Sequence, residues 1–119
     1  MKEIRLGEGE MRFARIIWDK APMPSRQLAA LALEELGWKK STAYTVLKRL
    51  AEKGVVKNEG GVVSRLMTKE EFYSLQSENF VRENFGGSLP AFLAAFGKGK
   101  KMSDEEIDSL KQIIEKMRG

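Results

Sequence analysis

Ser41, Thr42, Thr45, Lys48 and Arg49 sit in one short stretch, and their types suit one kind of chemistry. Short hydroxyls exchange hydrogen bonds with base edges, and long cations meet phosphates, so a face carrying both fits a nucleic-acid major groove. Helical periodicity collects them on one side and puts Ala43, Val46, Leu47 and Leu50 on the other. Residues 38–54, WKKSTAYTVLKRLAEKG, are therefore predicted to form an amphipathic helix over about 41–53. Ser41 is the expected N-cap. Lys53 and Gly54 suit the close, the lysine against the dipole and the glycine as a left-handed cap. Read alone, the stretch equally suits a surface helix with a solvated outside, and its neighbours must decide.

Composition removes other chemistries. The 119 residues hold no cysteine and no histidine. Disulfides, thiolate metal sites, Cys or His nucleophiles and histidine acid–base catalysis are excluded, so neither a metal nor another cofactor is expected, and an enzyme is not. The apolar share is 42% and the charged share 32%, as in ordinary globular domains. No run is long enough to span a bilayer, and the first ten residues, MKEIRLGEGE, lack the apolar core of a signal peptide. The expectation is a cytoplasmic protein without membrane insertion. Net charge is +4, unevenly spread: residues 1–70 carry 14 Lys/Arg against 9 Asp/Glu, and residues 71–119 carry 7 against 8. A basic front half suits a polyanion partner.

The elements around the central stretch fit that use. Residues 6–20 read as a first helix, with Met11, Phe13, Ala14, Ile17 and Trp18 inward and Arg12 and Arg15 elsewhere. Pro22 and Pro24 break it. Ser25 is the expected cap of a second helix over 26–36, which Gly37 ends. Two short helices joined by a tight glycine turn are the signature of a helix-turn-helix. Trp38, in the turn, should pack between the helices. After Gly54 the period changes to two: Val55-Val56, a turn over 57–61, and a return strand over 62–67. A hairpin there is a wing, with Lys57 and Arg65 placed for phosphates; a hairpin that only covers the core would look much the same.

Thr68 should cap a helix running to about Phe85, before the break at Gly86-Gly87. Residues 88–96, SLPAFLAAF, predict a short apolar helix. Residues 97–101, GKGKK, form a basic link. Ser103 to Glu106 is a capping box opening a last helix, whose Ile107, Leu110, Ile114 and Met117 follow a narrow seam. About 50 residues with this many large apolar side chains rarely bury them alone. Pairing with a second copy through Phe72, Leu75, Phe80, Phe92, Phe96, Ile107, Leu110, Ile114 and Met117 is the favoured solution, and folding back on the front half is the other.

The order of parts resembles the penicillinase-repressor family of bacterial winged-helix regulators, the BlaI/MecI/CopY group. The specific matches are LGEGEM at 6–11 with IIW at 16–18, TAYTVLKRLAEKG at 42–54, GG at 86–87 and SDEEIDSL at 103–110, together with their spacing. The resemblance implies a homodimeric repressor whose N-terminal winged helix binds a palindromic double-stranded DNA operator and whose C-terminal helices dimerise. It places Ser41, Thr42, Thr45, Lys48 and Arg49 toward the groove, the face already picked out by periodicity. Members answering to β-lactams are inactivated by a membrane sensor-protease system that typically cuts between Asn and Phe. The corresponding bond here is Ala95–Phe96, without the asparagine. The copper-responsive branch carries a cysteine-rich motif that this chain lacks.

The sequence thus predicts a mainly α protein with a small β-hairpin wing: a winged helix-turn-helix DNA-binding domain over 1–70 and a helical dimerisation region over 71–119. The rival reading is a winged-helix module that binds protein and not DNA.

Overall fold

The computed structural model describes residues 3–119. The elements run α1 (Glu8–Lys20), β1 (Met23–Pro24), α2 (Ser25–Leu36), α3 (Lys40–Glu52), β2 (Val56–Glu59), β3 (Val62–Arg65), α4 (Lys69–Phe85), α5 (Leu89–Gly97) and α6 (Asp104–Lys116). They divide into two compact units, the first ending at Asn79 and the second spanning Phe80–Gly119. The break expected after residue 70 lies nine residues further on. Phe72 explains the shift. It is fully buried in the first unit's core, its ring 5.4 Å from that of Trp18. Leu75 packs on the same core. Both residues, expected to pair with a second copy, are therefore committed within the first unit.

That core is built from one stripe of each element: Phe13 and Ile17 of α1, Leu28 and Ala32 of α2, Ala43, Leu47 and Leu50 of α3, with Val55, Val56 and Val63 beneath. Trp18 is buried and donates its indole N–H to the Met67 carbonyl at 3.0 Å, which satisfies its polar edge. Trp38 packs edge-on against Phe13, centroids 5.5 Å apart, in the inter-helix turn where the sequence expected it.

The sheet is antiparallel with order β1-β3-β2. Its hairpin turns on Gly60 and Gly61 alone, both with positive φ, as a tight two-residue turn matching strand twist requires. Lys57, Asn58 and Glu59, expected in the turn, belong to β2. The two-residue β1 was not foreseen, because Pro22 and Pro24 read only as helix breakers. Pro24 can sit there because β1 is an edge strand.

Three caps differ from expectation. Ser25 is the first residue of α2 and its hydroxyl caps nothing; its backbone N–H donates instead to the Gly61 carbonyl at 2.8 Å, fastening the wing turn to α2. Ser41 is likewise inside α3, since extended backbone at Lys39 starts the helix one residue earlier. Gly7 has no side chain with which to cap α1, and Glu10 works from the other end: its Oε1 accepts the Gly7 N–H at 2.8 Å. Thr68 and Ser103 do cap α4 and α6, each in a reciprocal box with the glutamate three residues on.

Glu10 also accepts from Lys53 Nζ at 2.7 Å, and the same ammonium reaches the Arg5 carbonyl at 2.7 Å. The pair ties the start of α1 to the residue that ends α3. Burial raises the Glu10 pKa, but the Lys53 hydrogen bond, the Gly7 N–H and the charges of Lys53 and Arg49 outweigh it, so the group sits below its ordinary 4.5. A lowered folded-state pKa contributes stability that is complete above 4.5 and fades as pH falls through the folded value. Glu10→Ala should cost about 1–3 kcal/mol in urea denaturation at pH 7. The gap between variant and wild type should close below pH 4.5. A gap constant down to pH 3 or so would mean that charge does not matter at this pair.

Candidate nucleic-acid interface

The interface begins with how α3 is held. Burying Ala43, Val46, Leu47 and Leu50 fixes the rotation of the helix about its axis. α1 and α2 pack against its inner side. The opposite side is then forced outward, and Ser41, Thr42, Thr45, Lys48 and Arg49 are all exposed. The structure brings together on one surface the five residues that the spacing had singled out. Lys39 and Lys40, also exposed, add two cations at the start of α3; the KK pair was visible in the sequence but had no assigned role.

The side chains on this face are not equivalent. Thr45 turns its hydroxyl back along the helix and donates to the Ser41 carbonyl at 2.9 Å. Lys48 and Arg49 make no hydrogen bond or ion pair with the described residues. Ser41, Thr42, Thr45, Val46 and Arg49 line a shallow depression of about 230 Å³. Exposed cations and small side chains beside a depression can dock against a charged, grooved polymer. No group of histidine, cysteine or acidic residues among the described residues is placed to hold a metal ion.

The two wing cations have different fates. Lys57 is exposed and, among the described residues, pairs only with Glu59, Nζ to Oε1 at 2.8 Å. A surface pair of this kind is worth little and yields readily to another anion. Arg65 is exposed as well, but it also has an internal task. Its Nη1 donates to the carbonyls of Trp18 at 2.9 Å and Ala21 at 2.7 Å, so it closes the C-terminal end of α1. Helices leave their last carbonyls unpaired, and a guanidinium on the neighbouring strand satisfies two of them here. Arg65 thereby joins wing to α1, a task that the sequence did not suggest for it. Sequence could not reveal this, since the partner carbonyls are backbone atoms more than 40 residues away.

The second unit has a different character. Phe80, Phe85, Phe92 and Phe96 form a chain of ring contacts with centroids 5.6–6.1 Å apart. Yet Phe80 and Phe96 stay half exposed, and on α6 Ile107, Ile113, Ile114 and Met117 are exposed by 37–64%. Leu110 is partly buried. Ile113 extends the seam that the 3-4 spacing had drawn. Ala95 and Phe96 lie within helical α5, where Lys100 Nζ donates to the Phe96 carbonyl at 3.0 Å. Among the described residues no helix is long and apolar enough to cross a membrane.

Arg65→Met should lower stability by about 1 kcal/mol or more in chemical denaturation, because two helix-end carbonyls lose their donor. Lys57→Met should stay within about 0.5 kcal/mol of wild type. Equal effects would remove the distinction between an anchoring and a free wing cation.

Comparison with known proteins agrees with this arrangement. The family model described as penicillinase repressor matches residues 6–116. A penicillinase repressor from Bacillus licheniformis is 25% identical, over 97% of this chain and 94% of that protein. A penicillinase repressor from Staphylococcus aureus is 19% identical, over 95% and 93%. The methicillin resistance regulatory protein MecI of Mammaliicoccus sciuri is 22% identical, over 97% of each chain. With its helix-turn-helix, its wing and a match running almost end to end, the chain belongs to the penicillinase-repressor family, whose members are regulatory DNA-binding proteins and not enzymes.

Proposed function

We propose that this chain is a homodimeric repressor that lays α3 in the major groove of a palindromic operator and rests its wing on the backbone. The observation that carries the reading is the two-sidedness of α3: an inner stripe locked in the core and an outer face of exposed hydroxyls and cations. Lys48, Arg49 and Lys57 are the phosphate contacts in this reading, and Ser41, Thr42 and Thr45 face base edges. Two copies would present their α3 helices to half-sites about 34–36 Å apart, or a multiple of it.

Pairing is proposed through the second unit. Exposed Phe96, Ile107, Ile113, Ile114 and Met117 are apolar surface that a monomer would leave in water. Phe80, Phe92 and Leu110 extend the set. Repression follows where the operator overlaps a promoter, and anything that parts the dimer halves the DNA contacts. A membrane sensor-protease is the proposed agent of release. Because Ala95–Phe96 lies inside α5, that turn must unwind before the bond can be cut.

Binding should weaken steeply with salt, and Lys48→Ala should reduce the slope of log K against log salt by about 0.9 per subunit contact. Fluorescence anisotropy with a duplex from random-site selection measures both. A salt-independent affinity, or no retention on duplex DNA at all, would favour a protein-binding module. Ile114→Asp should give monomers by sedimentation and weaken operator binding more than tenfold, since each half-site then binds alone. A variant that remains dimeric would move the interface away from α6.

A further inference from the structure

We propose that the depression beside Thr45 receives the C5-methyl of a thymine, and that the methyl of Thr45, not its hydroxyl, selects it. The proposal rests on the reading that α3 enters the major groove.

Two observations carry it. The first is the hydrogen bond from Thr45 Oγ1 to the Ser41 carbonyl. A hydroxyl turned back onto its own helix has committed its proton. It has none left to offer the acceptors that dominate the major-groove edges of guanine, adenine and thymine. The other substituent on the Thr45 β-carbon is a methyl, and the residue is exposed. What it presents to a partner is therefore largely hydrocarbon.

The second is the depression itself. Thr42, Thr45, Val46 and Arg49 lie at i, i+3, i+4 and i+7, one side of α3, and with Ser41 they line a hollow of about 230 Å³. Val46 is almost wholly buried and is the apolar member of the lining. Thr42, Thr45 and Arg49 line the hollow beside Val46. The hollow is large enough for a methyl and the ring edge that bears it. In the major groove thymine alone offers such a group, the C5-methyl. The pairing is apolar against apolar, within reach of a cation for the adjoining backbone.

The test uses the full-length dimer and a duplex obtained by random-site selection. Each symmetric pair of thymines is replaced in turn by deoxyuridine, which keeps base pairing and removes only the methyl. For the wild type, one pair should cost about fourfold in affinity per half-site, the factor for burying one methyl group. Thr45→Val keeps a methyl and removes the hydroxyl, and should retain that penalty. Thr45→Ser keeps the hydroxyl and removes the methyl, and should reduce the penalty below about twofold. Thermal melts confirm that both variants fold, as expected for an exposed position. A flat uracil scan in the wild type overturns the proposal while leaving groove binding in place. So does a full penalty in Thr45→Ser. A penalty lost in Thr45→Val overturns it in favour of the hydroxyl as acceptor from a base amino group. If selection enriches no sequence, the repressor reading itself fails and takes this proposal with it.

Discussion

The rotational setting of α3 is the constraint on which the rest of the molecule depends. Ala43, Val46, Leu47 and Leu50 must be inside for the first unit to have a core at all. Once they are, no freedom remains in the direction of Ser41, Thr42, Thr45, Lys48 and Arg49. A helix in the middle of a small core thus becomes a rigid presenter of its own outer face. The ends are fixed as well: Trp38 packs on Phe13 before the helix, and Lys53 is held by Glu10 after it. A recognition surface needs this rigidity, because a tilt or slip of the helix would move every side chain that reads a base edge.

The wing shares the logic. Its turn is fastened to α2 through Ser25 and Gly61, and its return strand to α1 through Arg65. Its exposed cation, Lys57, is then carried on a fixed arm and not on a loose loop. Arg65 illustrates why charge alone is a poor guide to contact. An arginine at the edge of a basic half also serves the helix end beside it, whose last carbonyls lack donors. The second unit contrasts with the first. It is helical and capped at α5 and α6, but much of its apolar surface stays open to solvent.

Periodicity made most of this legible. The 3.6-residue stripes of α1, α3 and α6 were readable, as were the Thr68 cap and the Ser103 capping box, because each depends on residues close together in the chain. What escaped depends on atoms far apart. β1 exists only because Val62 and Val63 pair with it. Phe72 and Leu75 looked like part of the second unit because nothing local marks which core a helix residue will enter. The expected caps Ser25 and Ser41 lie one and two residues past the actual ones, the usual margin at helix ends. The Glu10–Lys53 tie joins residues 43 positions apart and has no sequence signature of its own.

The central claim is that the outer face of α3 is the surface that meets DNA. Mapping backbone amide shifts by NMR as a selected duplex is titrated into the protein tests it most directly. The largest changes should fall on Ser41, Thr42, Thr45, Lys48 and Arg49, with a smaller set at Lys57. Changes confined to α5 and α6, with α3 silent, would contradict it.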